Sequence, residues 1–237
     1  MTGKTRRQAE MVLVPADGVH LVGDLLVPDQ VRGVVLFAHG SGSSRRSPRN
    51  RYVAGQLHRA GLATLLVDLL TSDEKESDGE SGSPRFDVDL LAWRLESVAG
   101  WLAEDSRTRN APVGYFGAST GAAAALVAAA DQPDRVGAIV SRGGRPDLAG
   151  GALAAVRAPT LLVVGGNDDL VLRLNERAHQ ALRCEAKVAV VPGATHLFEE
   201  PGALEQASDL AALWFLGHLS PPVREAPNEV TTAGRAL

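Results

Sequence analysis

The chain has 237 residues, of which 45% are hydrophobic and 22% charged, and its net charge is −4. These proportions exclude a disordered, collagen-like or coiled-coil protein and predict a globular chain with a full apolar core. No apolar stretch approaches the roughly 18 residues of a membrane span. The run at residues 11–14, after the basic amino end, is too short for the core of a secretory signal. The single cysteine, Cys184, excludes an internal disulfide and a multi-cysteine metal site, so we expect a cytoplasmic protein.

The negative charge is concentrated in one segment. Residues 73–80, DEKESDGE, contain five acidic side chains and one lysine, so the rest of the chain is neutral overall. Without a basic surface or an apolar span, we expect neither nucleic acid nor a membrane as a partner. Residues 71–84 are polar and rich in glycine and serine, which predicts a mobile, solvated loop. Their acids lack the alternating spacing of a calcium loop, and a weak cation or partner site is the less common interpretation.

Short apolar runs alternate with helical patterns along the chain. Residues 11–14 and 20–27, joined by a turn that contains Asp-Gly, predict an antiparallel hairpin. Runs that look buried on both faces follow at residues 33–38, 62–67, 112–116, 136–140, 160–164 and 187–191. This order predicts an α/β fold, with a mostly parallel eight-stranded sheet, an N-terminal antiparallel hairpin and helices on both faces. We expect one domain over residues 1–219 and a tail at 220–237 that lies on the surface or is partly disordered.

Residues 117–121, GASTG, match the pattern G-x-S-x-G. An apolar run ends directly before this motif and an alanine-rich helix is predicted directly after it. In that setting the serine occupies a tight turn between strand and helix, where its hydroxyl is exposed as a nucleophile. The pattern therefore predicts that Ser119 is catalytic. The alternative is an ordinary turn in which Ser119 only caps the helix.

A serine nucleophile needs a base and a third group that orients the base. Asp168 follows the run at 160–164, and His196 follows the run at 187–191. The order serine, acid, histidine is the one that accompanies this turn, and all three residues come at carboxyl ends of strands. Asp169 is the competing acid, but we expect it to begin a helix, where a carboxylate suits the free N–H groups. A structural role for His196 is the alternative to catalysis.

A site for the developing oxyanion is predicted after the third strand. Residues 39–43, HGSGS, are small enough for backbone N–H groups to approach a substrate. We expect the oxyanion donors to be the backbone N–H groups of Ser41 and Thr120. His39 and Gly40 are candidate substrate contacts in the same loop.

From the hairpin to His196, the chain resembles the α/β-hydrolase superfamily and is most similar to its dienelactone-hydrolase-like branch. The residues that carry the resemblance are those at 39–42, 67–70, 117–121, 165–168 and 195–196. Dienelactone hydrolases have a cysteine at the tight turn, whereas this chain has Ser119. The resemblance therefore implies a serine esterase that acts on a small-molecule ester, without metal or cofactor, and not dienelactone cleavage itself. Cys184 lies far from the turn and is expected to be structural.

Arginines cluster near the predicted mouth of the site. Arg45, Arg46, Arg49 and Arg51 follow the glycine-rich loop, and Arg142 and Arg145 follow the run at 136–140. Arg142 is a candidate substrate-binding residue, which makes an anionic substrate conceivable. A solvated arginine-rich surface is the more common explanation.

Two other functions compete with ester hydrolysis. A dinucleotide site is suggested by Gly40, Gly42 and Asp68, but Arg45 stands where the third glycine belongs. A non-catalytic binding protein with a hydrolase fold is the second, because fold does not fix function. The sequence leaves open whether an ester, thioester or lactone is cleaved or an acyl group transferred, and it does not indicate the oligomeric state.

The connection in which larger hydrolases carry a cap is short in this chain. Residues 141–159 have room for one short helix, at 148–156, which Gly150 and Gly151 weaken. We therefore expect no cap domain and a preference for short or compact acyl groups. The segment 71–84 is the one that we expect to cover the site in part.

Overall fold

Eight strands form one sheet in the computed structural model, which describes residues 8–16, 18–76 and 84–219. The strands are β1 (Glu10–Ala16), β2 (Val19–Leu26), β3 (Val34–Ala38), β4 (Ala63–Val67), β5 (Val113–Ala118), β6 (Val136–Arg142), β7 (Thr160–Gly165) and β8 (Ala186–Val191). Their spatial order is β1-β2-β4-β3-β5-β6-β7-β8. The β1–β2 and β2–β4 pairs are antiparallel and all others are parallel. The predicted α/β fold with its N-terminal hairpin is confirmed; the expected tail at 220–237 lies outside the described residues.

Helices cover both faces of this sheet. They are α1 (Pro48–Arg59), α2 (Ser72–Glu76), α3 (Val88–Glu104), α4 (Thr120–Asp131), α5 (Asp169–Ala181) and α6 (Ala203–His218). The core on one face is closed by α1 and α6, and the core on the other by α3, α4 and α5. No helix in the part of the chain that the structure describes is long and apolar enough to cross a membrane.

The central strands are apolar throughout because both of their faces are buried. All five residues of β3 are buried, with Leu36 facing the α3–α4 side and Phe37 facing the α1–α6 side. Burying such a side chain stabilises the fold by about 1.5–3 kcal/mol. The carboxyl ends of these parallel strands lie along one edge of the sheet, and the loops that follow the strands form the site.

The connection between β6 and β7 differs from the expected short α-helix at 148–156. Residues Pro146–Ala155 form 3₁₀ turns that are interrupted at Gly150, whose φ is 52°. The physical reason is the Gly150–Gly151 pair, since glycine disfavours an uninterrupted α-helix. The turns pack against α4 and α5.

The expectation of a loop over residues 71–84 is wrong for its first part. Ser72–Glu76 form α2, and the Glu74 carboxylate of this helix pairs with the buried Arg94 of α3. Arg94 Nη1 donates both to Glu74 Oε2 and to the Leu69 carbonyl oxygen, each at 2.7 Å. Residues 77–83 lie outside the described part of the chain. The ion pair therefore holds the beginning of this segment against the fold.

Candidate active site

Ser119 lies at the carboxyl end of the central strand β5, in a strained backbone conformation. Its φ is 52° and its ψ is −124°, values that a residue with a side chain rarely adopts. The carbonyl oxygen of Ser119 accepts hydrogen bonds from the N–H groups of Ala122 and Arg145, at 3.1 and 3.0 Å. These contacts hold the turn, which presents the Ser119 side chain at the sheet edge. The setting predicted from the G-x-S-x-G pattern is thus present.

Two glycines allow this turn to lie close to its neighbours. A Cβ atom on Gly117 would lie 2.8 Å from the backbone nitrogen of Ala122, and one on Gly121 would lie 2.5 Å from the carbonyl oxygen of His39. Backbone atoms cannot move away as a flexible side chain can. The motif therefore needs glycine at both positions for packing, independently of any chemistry.

His196 and Asp168 meet across the loops that follow β8 and β7. His196 Nδ1 lies 2.7 Å from Asp168 Oδ2. Since a carboxylate only accepts, Nδ1 donates in this pair, and the neutral form of the ring has its lone pair on Nε2. Asp169, by contrast, is exposed in the first turn of α5. In the structure, Asp168 and not Asp169 therefore forms the hydrogen bond with His196.

A cavity of about 190 Å³ contains both Ser119 and His196 in its lining. The lining also includes Gly40 and Ser41 from the loop after β3, Arg49 and Asn50 from α1, and Arg142 from the end of β6. Four strand ends, those of β3, β5, β6 and β8, and the first turn of α1 thus contribute to one cavity. Within residues 8–16, 18–76 and 84–219, no three His, Cys, Asp or Glu side chains group closely enough to hold a metal ion.

The loop after β3 packs directly on the serine turn. A Cβ atom on Gly40 would lie 3.0 Å from Ser119 Cβ, so the close approach depends on glycine. The Ser41 N–H donates to Thr120 Oγ1 at 2.9 Å. Thr120, as the first residue of α4, has an N–H that the helix itself does not use. Both predicted oxyanion donors therefore lie beside Ser119, but the Ser41 N–H already has a partner in the protein.

His39 uses its ring inside the protein. Its Nδ1 donates to the Gly40 carbonyl oxygen at 2.9 Å, and its Nε2 accepts from the Leu69 N–H at 3.2 Å. Burial lowers the pKa of His39, which suits a neutral ring between two backbone groups. His39 thus ties the Gly40 loop to the end of β4. Gly40, and not His39, contributes to the lining of the cavity.

The six arginines near the mouth have different surroundings. Arg45 and Arg145 are ion-paired with aspartates, Arg46 and Arg51 are exposed, and Arg49 and Arg142 line the cavity. The alternative explanation, a solvated arginine-rich surface, therefore applies to only some of these six arginines.

Arg142 is the unusual member of this group, because only 8% of its surface is exposed. Its guanidinium lies 6.0 Å from the ring centre of Phe116 and 5.7 Å from that of Phe198. Nη2 is 3.4 Å from Asn50 Oδ1, whereas Nε and Nη1 have no hydrogen-bond partner among the described residues. Burial lowers the pKa of Arg142 to about 10, so the side chain is charged at neutral pH.

Known proteins resemble this chain in sequence and in fold. The family model for the dienelactone hydrolase family matches residues 22–214. A crystal structure of a dienelactone hydrolase from Anabaena variabilis is 54% identical, with a TM-score of 0.87, over 90% of this chain and 100% of that chain. An esterase from Pyrococcus furiosus has a TM-score of 0.73 at 16% identity, over 90% of this chain and 94% of that chain, which shows a common fold alone.

Curated relatives come from two strains of Mycobacterium tuberculosis. They are provisionally named phosphoribosyl transferases and are 59% identical to this chain over 213 residues. The match covers 90% of this chain but only 47% of each relative. The chain therefore spans about half the length of these proteins.

Proposed function

Because the chain belongs to the dienelactone hydrolase family, we propose that it is a serine hydrolase that cleaves carboxylic esters with short or compact acyl groups. The observation that carries the proposal is the 2.7 Å hydrogen bond between His196 and Asp168 at a cavity that also contains Ser119. Serine, aspartate and histidine, in this order along a chain with this fold, form the set of groups used for acyl transfer.

The reaction proceeds through an acyl-enzyme. His196 Nε2 accepts the hydroxyl proton of Ser119 while Oγ attacks the ester carbonyl, and Asp168 stabilises the imidazolium that forms. The proton then passes to the leaving alcohol as the carbon–oxygen bond breaks. Water attacks the acyl-enzyme with His196 again as the base, and the acid product and free Ser119 result.

The negative charge on the tetrahedral intermediate needs two backbone donors. The Thr120 N–H, in the first turn of α4, is the first donor, and the Ser41 N–H is the second once it exchanges Thr120 Oγ1 for the substrate oxygen. Until then, the 2.9 Å bond between Ser41 and Thr120 holds the loop close to the nucleophile. One such donor contributes roughly 3–4 kcal/mol to transition-state stabilisation.

The transferase name of the mycobacterial relatives suggests a different activity. A phosphoribosyl transfer does not need a serine, histidine and aspartate set, and this chain matches only 47% of each relative. We assign any such transfer to the part of those proteins that this chain does not match. Thioester or lactone cleavage and acyl transfer would use the same groups as ester hydrolysis.

Hydrolysis of p-nitrophenyl acetate together with labelling by a fluorophosphonate probe tests the proposal. We expect the wild type to react in both assays, and Ser119→Ala and His196→Ala to lose at least a thousandfold in kcat. Ser97→Ala, on α3, is the matched control and should retain full activity. Wild-type activity in Ser119→Ala would refute the nucleophile, and an unreactive wild type would favour a non-catalytic binding protein.

A further inference from the structure

A buried carboxylate, that of Asp68 directly after β4, binds the end of the glycine-rich loop over residues 39–45. Only 6% of Asp68 is exposed. Its Oδ1 accepts from the backbone N–H of Arg45 at 2.9 Å, and its Oδ2 accepts from Arg45 Nη1. Lys75 of α2 places its Nζ 3.3 Å from Oδ1. Burial raises the pKa of Asp68, but the hydrogen bonds from Arg45 outweigh this effect, so the carboxylate is charged at neutral pH.

Both ends of this loop are fixed to the segment that follows β4. At the first residue of the loop, His39 Nε2 accepts from the Leu69 N–H at 3.2 Å. At the last residue, Arg45 is bound to Asp68, which precedes Leu69 in the chain. A loop that is fixed at both ends has few conformations left, so these two anchors determine where the backbone N–H groups between them lie.

Ser41, one of the two expected oxyanion donors, lies between the anchors. It belongs to a turn in which the Ser43 N–H donates to the Gly40 carbonyl oxygen at 3.0 Å. The Cβ position of Gly42 has open space around it, so side-chain packing does not hold this residue in place. The 2.9 Å bond from the Ser41 N–H to Thr120 Oγ1 is lost when the substrate oxygen takes its place. From that moment, the loop has to stay in position without this bond.

We propose that Asp68 is a positioning residue, which acts through Arg45 to hold the Ser41 N–H where the oxyanion forms. Asp68 does not line the cavity, so it acts without touching the substrate. The inference rests on the proposed ester hydrolysis. Because negative charge develops on the carbonyl oxygen only during the attack, a displaced donor slows turnover and leaves binding of the intact ester nearly unchanged.

An inhibitor that mimics the tetrahedral intermediate makes this role measurable. Trifluoroacetophenone accepts attack by Ser119 Oγ on its carbonyl carbon, which opens the carbon–oxygen double bond. The hydroxyl proton passes to His196, and the former ketone oxygen carries the negative charge. Acetophenone is the counterpart that binds without forming a stable adduct. The ratio of the two inhibition constants therefore reports on the oxyanion donors, separately from the fit of the ring.

Asp68→Asn keeps one oxygen for the Arg45 N–H but removes the ion pair. We expect its kcat on p-nitrophenyl acetate to fall by about tenfold or more, and its Ki for trifluoroacetophenone to rise by a similar factor. The KM and the Ki for acetophenone should change less than about threefold. A change that affected folding alone would not separate the two ketones.

Asp105→Asn is the matched control. The Asp105 side chain is 12% exposed and, like that of Asp68, accepts from the backbone N–H and the guanidinium of a single arginine. The two distances to Arg107, from its backbone nitrogen and from Nη2, are 2.9 and 2.7 Å. Asp105 follows α3 and does not line the cavity. This variant should therefore lose stability and keep the wild-type kcat and both Ki values.

The outcomes separate the positioning role from the proposed function. In an active wild type, the role would be overturned if Asp68→Asn kept the wild-type kcat, lost affinity for both ketones equally, or behaved as Asp105→Asn does. A wild type that neither hydrolyses the ester nor prefers trifluoroacetophenone would refute the esterase, and the positioning role with it. If Asp68→Asn does not fold, Arg45→Lys decides, because it keeps the backbone N–H and a positive charge but loses the guanidinium. It should show the same pattern with a smaller loss, and unchanged kinetics would overturn the role.

Discussion

Two adjacent aspartates show how much one position matters in this site. Asp168 accepts a hydrogen bond from His196, while Asp169 is exposed in the first turn of α5. The sequence favours Asp168 only through its distance from Gly165 and the start of the next helix. The contact itself depends on how the loops after β7 and β8 approach each other.

Exchanging each aspartate for asparagine separates their roles. Asp168→Asn should lower kcat by about a thousandfold to ten-thousandfold, because an amide favours the wrong tautomer of His196. Asp169→Asn should keep kcat and reduce the free energy of unfolding by about 0.3–1 kcal/mol, through a weaker interaction with the start of α5. Kinetics on p-nitrophenyl acetate and urea unfolding measure the two effects. Loss of activity in Asp169→Asn alone would reverse the assignment.

The residues that line the cavity from α1 illustrate what the sequence reveals only in part. Arg49 is one of the arginines expected near the mouth, whereas Asn50 belongs to no motif and reaches the site because α1 begins beside the loop after β3. Ser119, Asp168 and His196 were predictable because each follows an apolar strand in a known order. The hydrogen bond from the Ser41 N–H to Thr120 Oγ1 depends on the side-chain rotamer of Thr120, so the spacing of residues in the sequence does not predict it.

At the level of the elements, the serine turn depends on close backbone packing. Gly121→Ala places a methyl group against the carbonyl oxygens of Ala38 and His39, and we expect it to reduce the free energy of unfolding by about 3 kcal/mol or to prevent folding. Gly217→Ala, in α6 with nothing near its Cβ position, is the control and should stabilise by about 0.5–1 kcal/mol. Denaturant unfolding measures both. A Gly121→Ala protein as stable as the wild type would show that the turn is not tightly constrained.

The ion pair of α2 makes part of the stability dependent on pH. The hydrogen bond from the Arg94 guanidinium lowers the pKa of Glu74 from its ordinary value of 4.5 to about 2. A carboxyl with a lowered pKa in the folded state stabilises the protein above its unfolded pKa, and this contribution disappears as the pH falls through the folded value.

Glu74→Gln should therefore destabilise the protein by up to about 3 kcal/mol at pH 7. The difference between variant and wild type should shrink below pH 4.5 and vanish near pH 2. Urea unfolding at several pH values measures it. Asp73→Asn, on the same helix, is the control. A Glu74→Gln effect that is independent of pH would mean that the charge of Glu74 is not responsible.

Most of the fold that was predictable followed from two signals in the sequence, namely the short apolar runs of the strands and the glycine-containing turns. Strand bounds differ by one or two residues, as in β5, which extends to Ala118. The helix α2 was not predictable, because five polar residues have no apolar periodicity and the helix is held by a buried arginine from α3. Gly150 likewise turned an expected helix into interrupted 3₁₀ turns.

For the molecule as a whole, the small cavity and the short β6–β7 connection lead to one expectation about substrate length. Each methylene group that stays in water forgoes roughly 0.8 kcal/mol of binding. Activity on p-nitrophenyl esters should be highest for acetate to butyrate and fall steeply towards long chains. Rates across an acyl series, below and above the solubility limit, measure this preference. A maximum at palmitate, or an increase in rate on emulsified substrate, would contradict it.

The Gly150–Gly151 pair also makes the molecule a convenient scaffold for engineering. Both residues are exposed, and nothing lies within 4 Å of either Cβ position. Exposed positions of this kind tolerate added chain, because the new segment displaces no packed group. A helical hairpin spliced between them would begin and end on the connection in which larger hydrolases carry a cap. In such chimaeras the inserted hairpin would determine the acyl-chain selectivity, while the sheet that carries Ser119 keeps its sequence.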